Sequence, residues 1–195
     1  QWLFGVMGGY LGSDLDFGNS STSVSYETGL VGAYTTYLNG SWFVDGQFLA
    51  NLGNVDYSSS ADQGLTASDD SRIVSLGAVI DTGYRITRAW GFIEPGATLA
   101  YVNTDIDSID IYNTDASFDG ESLRGRLGLR LGTSYVNNDM RIEPFMGLGI
   151  WHEFLGGNHA SIRSGGFNLL SSDDAEGSIG ELSGGLNIFR DAEGV

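Results

Sequence analysis

Lysine, cysteine, proline and long apolar runs are scarce or missing in this chain. All nine basic residues are arginines against 25 acidic ones, and the formal net charge of −16 argues against any phosphate backbone as partner. Nucleic acid is thereby the poorest candidate ligand. The absence of cysteine removes disulfides, thiol nucleophiles and cysteine metal sites. Only two prolines occur, so long extended segments run uninterrupted. No stretch approaches the ~20 apolar residues that a membrane helix requires. That does not exclude a membrane, because a transmembrane β-strand alternates lipid-facing and water-facing residues and averages to a neutral hydropathy.

What the chain has instead is glycine, 30 of 195 residues, interleaved with aromatics at 12%. This mixture is neither collagen-like nor disordered and suits an all-β protein with close backbone approaches. The length fits one domain spanning 1–195. Period-two segments recur at roughly 2–12, 23–38, 41–56, 72–87, 90–105, 119–136, 139–154 and 177–190. No segment reads as an amphipathic helix. Between the strands, long connections such as GSDLDFGNSSTS, DYSSSADQGLTASDD, DIDSIDIYNTDASFD and LGGNHASIRSGGFNLLSSDD alternate with the short NGS, TRA and NND. An antiparallel up-and-down transmembrane barrel has this rhythm, with tight turns on one rim and long loops on the other.

The two phases of each strand differ in chemistry. One phase carries Leu76 and Ile80, Leu99, Leu127, Leu129 and Leu131, and Met146, Leu148 and Ile150, which reads as a lipid-facing surface. The opposite phase carries Asp45, Asp81, Arg85, Glu94, Arg124, Arg126, Arg130, Glu143, Glu153 and Glu181, which reads as a polar network lining a lumen. Arg124, Arg126, Glu94 and Glu143 lie on neighbouring strands, where they can bond across the wall, and arginine suits such pairing because its fork binds carboxylates in bidentate fashion. Any wet interior also needs paired charges, so the network alone specifies no activity. Trp42, Trp90, Trp151, Tyr26, Tyr37, Tyr84, Tyr101 and Tyr135 fall near strand ends, as interfacial girdles would.

Residues 121–135 (ESLRGRLGLRLGTSY) and 141–154 (RIEPFMGLGIWHEF), with GVMGGYLGSDLDF, SWFVDGQF, GYRITRAWGFIEPGATLAYV and GELSGGLNIF, resemble the C-terminal translocator β-domain of autotransporters, the type V secretion family. The resemblance implies a twelve-stranded barrel in the outer membrane of a Gram-negative bacterium. It also implies that the barrel anchors or exports an N-terminal passenger. The implied partners are outer-membrane lipids and lipopolysaccharide, the chain's own passenger and linker helix, and the barrel assembly machinery. With about eight strands, a start at Gln1 without methionine and an end at DAEGV, the chain reads as lacking about two strands on each side.

No catalytic residue, metal site or cofactor is expected. The only histidines are His152, on the lipid-facing phase, and His159 in a connection. No GxSxG element exists. The acidic runs (Asp62, Asp69, Asp70; Asp105, Asp107, Asp110, Asp115, Asp119; Asp173, Asp174, Glu176) lack calcium-loop spacing and read as solvated faces. Three competing readings remain: a closed eight-stranded surface barrel acting as adhesin or structural protein, an outer-membrane enzyme with a His/Asp/Ser cluster at its rim, and a soluble lipocalin-like binder. The first requires the outermost strands to pair with each other.

Overall fold

Period two places alternate side chains on opposite faces of a strand, and the structure uses it almost everywhere. The computed structural model describes residues 1–16, 21–60, 66–110, 114–137, 140–164, 166–174 and 176–190. Asp62 lies outside them. The described residues form twelve strands: β1 (Trp2–Asp16), β2 (Ser21–Asn39), β3 (Trp42–Ser60), β4 (Thr66–Tyr84), β5 (Ile86–Arg88), β6 (Gly91–Asp110), β7 (Thr114–Gly132), β8 (Tyr135–Asn137), β9 (Met140–Leu155), β10 (Gly157–Ser164), β11 (Phe167–Asp174) and β12 (Gly177–Arg190). After breaks of one or two residues, β5, β8, β10 and β12 continue β4, β7, β9 and β11, so the chain makes eight long traverses.

Every traverse pairs antiparallel with its chain neighbour, in one continuous meander. At the two edges, β1 pairs only with β2, while β11 and β12 pair only with β10 and β9, among the described residues. The outermost strands do not meet, which excludes the closed eight-stranded barrel for this arrangement. The sheet is an open half-barrel.

The strands are longer than the sequence pattern indicates. Residues 13–16, 57–60, 66–71, 106–110 and 114–118, read as loop, are strand, and the last long connection contains the β10–β11 hairpin. The apolar alternation stops at these points because neither face there needs to be oily, yet the backbone ladder continues between neighbours that both extend. Serines pair across it, as in Ser23 Oγ to Ser58 Oγ at 2.7 Å. The long and short connections are therefore long and short excursions of the wall beyond its apolar band. At the short end, the β2–β3 turn is closed by Asn39 opposite Trp42, with Gly40 at φ 62° supplying the left-handed backbone.

On β3 the outward phase runs from Trp42 through Val44, Phe48 and Ala50 to Leu52 before Asn54 and Asp56 end it. Ten residues of rise at ~3.4 Å, tilted ~40°, give a band of ~26 Å, the height of a hydrocarbon layer. Aromatic pairs mark its short-turn rim: Trp2 with Tyr37 at 4.6 Å and Trp42 with Tyr84 at 4.9 Å.

Curvature shows in the reach of one side chain. Arg85, at the β4–β5 break, has Nη1 3.9 Å from Glu143 Oε2 on β9, three strand spacings away. On a flat sheet those spacings total roughly 14 Å, so the charged face is the concave one.

For this span in a membrane mimetic, the β1 amides that point away from β2 should exchange hydrogen within seconds, while those of β6 and β7 stay protected for hours. Residue-resolved exchange checks this, and equal protection at the edge would mean that β1 has a second neighbour.

Candidate functional site: the charged concave face

Register decides which charges meet. On β7, Arg124, Arg126 and Arg130 share a phase with Gly128 and Gly132, and the β6 residues opposite are Ala100, Thr98 and Glu94 in turn. On the other side Arg124 stands opposite Glu153, and Arg126 opposite Trp151. Arg124 therefore pairs with Glu153, which also accepts a hydrogen bond from Ser122 Oγ at 2.8 Å. Glu94 receives Arg85 Nε at 2.6 Å and Arg130 Nη1 at 3.6 Å. Glu143 receives Arg85 and also Arg141 Nε at 3.4 Å. A continuous chain Arg130–Glu94–Arg85–Glu143–Arg141 thus crosses the sheet near its short-turn end. The sequence indicates bonds among Arg124, Arg126, Glu94 and Glu143; register gives these residues other partners.

Arg126 reaches past its nearest neighbour. It skips β9 and donates twice to Glu181 on β12, from Nε at 3.1 Å and Nη2 at 2.8 Å. The path exists because two glycines lack side chains: a Cβ on Gly149 would stand 3.0 Å from Arg126 Nε, and one on Gly128 3.0 Å from Nη1. Glu181 also accepts the Trp151 indole N–H at 2.6 Å. Trp151 belongs to this face and not to an interfacial girdle. Tyr26, on the phase of Thr28 and Thr36, departs from the girdle in the same way. Both corrections follow from strand phase, which outweighs nearness to a strand end.

Aromatic rings support the guanidinium groups. Arg130 lies 3.8 Å over Phe145, Arg85 4.1 Å over Phe92, and Arg141 4.3 Å over Phe189. Composition alone does not mark these rings; their even or odd phase shared with the arginines does. Glu143 and Glu153 are only 7% and 8% exposed, while Arg124 remains exposed. Asp45 and Asp81 stand directly opposite each other on β3 and β4. Asp45 accepts from Thr36 Oγ1 at 2.5 Å, and Asp81 accepts from Thr98 Oγ1. Neither has an arginine within ion-pair distance among the described residues.

Leu76, Ile80, Leu99, Leu127, Leu129, Leu131, Met146, Leu148 and Ile150 occupy the opposite, convex phase. All but the half-buried Leu131 are exposed, Leu127 to 67%. His152 shares that phase, bonded to Ser178 Oγ at 2.9 Å. At the far rim, His159 Nδ1 lies 3.3 Å from Asp119 with both side chains 59% exposed, and Ser172 stands opposite in register. No hydrogen bond joins Ser172 to His159 among the described residues. No group of three potential metal ligands occurs among the described residues.

A family model described as the autotransporter beta-domain matches residues 1–191. Among solved structures, the beta domain of the Bordetella autotransporter BrkA matches with a TM-score of 0.63 at 22% identity, covering 96% of this chain and 79% of that one. At that identity the likeness is one of fold. No curated protein sequence matches.

Replacing Arg126 by alanine leaves Glu181 without two charge-assisted bonds and should cost about 2 kcal/mol of unfolding stability. Gly149→Val should also destabilise, by pushing a side chain into the guanidinium. In the double variant the second cost should largely vanish, because the group it strikes is gone. Urea unfolding of the three variants in detergent checks this, and simple additivity would mean that Gly149 is not there to let Arg126 pass.

Proposed function

Because this chain belongs to the autotransporter beta-domain family, we propose that it is the outer-membrane translocator of a Gram-negative bacterium, a non-enzymatic barrel that carries its own N-terminal passenger to the cell surface. The observation that supports this best is the division of the sheet into a convex apolar face of membrane height and a concave face whose arginines and glutamates are paired. In this reading the convex leucines touch lipid. The concave network lines the lumen through which, or beside which, the linker helix passes. Its ion pairs give the wall rigidity and leave little unbalanced charge to bind the passing chain.

The edges β1 and β11–β12 enter the same reading. Among the described residues, each presents backbone N–H and C=O groups with no strand on one side. Within hydrocarbon such groups must be satisfied by further strands, because no water is available to bond them. Additional strands on both sides complete the barrel, bringing the total to the family's twelve, and the barrel assembly machinery accompanies their closure. The rim carries most of the acidic residues and faces lipopolysaccharide.

The test is surface exposure of a passenger in the full-length protein. Protease added to intact cells should degrade it when the barrel is assembled, and a passenger that stays protected behind an assembled barrel would overturn the proposal. The face assignment has its own readout. Leu148→Arg should lower the membrane-inserted fraction, since a lipid-facing arginine at mid-depth costs ~2 to 4 kcal/mol. Gln47→Arg, on the concave phase, should insert normally. The reverse pattern in a membrane-fractionation assay would invert the two faces.

A further inference from the structure

Two in-register rows cross the concave face side by side. In the first, Asp45, Asp81, Thr98, Arg126 and Trp151 stand opposite one another in turn on β3, β4, β6, β7 and β9. In the second, Gly83, Gly96, Gly128 and Gly149 do the same on β4, β6, β7 and β9, and Glu181 on β12 ends the row. Arg126 therefore stands between two carboxylate stations, with bare backbone beside it in both directions. The Cα of Asp81 is two strand spacings away, roughly 10 Å, and that of Glu181 is two spacings the other way and two residues along, roughly 12 Å. An extended arginine spans either.

In the structure the side chain lies on the Glu181 side. That pair is only half-buried, at 24% and 31% exposure, so water reaches it and can take over its bonds. Among the described residues it is the one ion pair that joins β12 to the rest of the sheet. At the other station Asp45 and Asp81 are cross-strand neighbours of like charge, a destabilising arrangement when nothing compensates it. Only threonine hydroxyls bond them. A recess of about 310 Å³ runs from Asp81 past Gly96 and Gly128 to Ser183 on β12, with Arg126 on its wall, so open space connects the two stations.

We propose that Arg126 is a two-position latch for β12. With β12 seated, the guanidinium holds Glu181; when that bond is released, it crosses the recess to Asp81 and compensates the charge shared with Asp45. Glu94, Glu143 and Glu153 are already held by Arg85, Arg130, Arg141 and Arg124, which leaves Asp81 as the acceptor in reach without a cation. The second station means that β12 can give up its ion pair without stranding an unpaired guanidinium, the main cost of breaking such a pair. The same move carries one positive charge from the β12 side of the wall to the β4 side.

The test is whether the effect of one substitution changes sign. Urea unfolding of the full-length protein in detergent, with the folded barrel read by its compact gel band, would compare Asp81→Asn with Glu181 intact and with Glu181→Gln. With Glu181 intact, Asp81→Asn should stabilise, because it relieves the repulsion with Asp45. Beside Glu181→Gln it should instead shift the unfolding equilibrium several-fold toward the unfolded state, because it removes the station that Arg126 has moved to. Adding Arg126→Ala to both backgrounds should abolish this reversal. An effect of the same sign in both backgrounds, or a reversal that survives Arg126→Ala, would overturn the latch. Glu181→Asp, which withdraws the carboxylate by one methylene, gives the same comparison if Glu181→Gln does not assemble.

Discussion

Backbone hydrogen bonding without water is the constraint from which the rest follows. A strand that crosses hydrocarbon must give every N–H and C=O to a neighbouring strand, and only a sheet that closes on itself does so completely. That requirement fixes the antiparallel meander and the long continuous ladders. It also fixes the strict alternation: with one face in lipid, ionic groups can stand only on the other face or beyond the band. Five of the nine arginines, Arg85, Arg124, Arg126, Arg130 and Arg141, turn inward and pair there with carboxylates.

Inside, the absence of lysine acquires a reason. Arg126 binds Glu181 with two nitrogens while its plane lies near Trp151, and Arg130 stacks on Phe145. A planar guanidinium can do both at once, whereas an ammonium is a point charge on a flexible stem. Glycines at 128 and 149 provide the floor across which this group extends. Aromatics, glycines and arginines on the concave phase therefore work as one unit, and the composition that looked anomalous in the sequence is the composition of a shallow charged wall.

The sequence disclosed phase well and extent poorly. Leu127, Leu129, Leu148 and Ile150 could be assigned to one face because period two is a geometric property of any strand. The extended walls were hidden, since residues such as Ser58, Asp69 and Asp107 carry no alternation once both faces are wet. Ion-pair partners were hidden too. Arg124 meets Glu153 and Arg130 meets Glu94 because of cross-strand register, which depends on turns and on a bulge near Leu123 that no local pattern announces. Trp151 and Tyr26 stand apart from the girdle that their nearness to strand ends suggests, because an aromatic at such a place suits both a girdle and a stacking partner.

The proposed faces put the leucine phase against lipid and the arginine–glutamate phase against water. The most direct measurement places nitroxide labels one at a time at positions 142 to 154 of the membrane-embedded protein. Each label is then read for contact with oxygen and with a water-soluble nickel chelate. The expected result is an alternation of period two, with oxygen contact at Met146, Leu148 and Ile150 and chelate contact at Gly147 and Glu153. Chelate contact at the even positions, or no alternation, would contradict it.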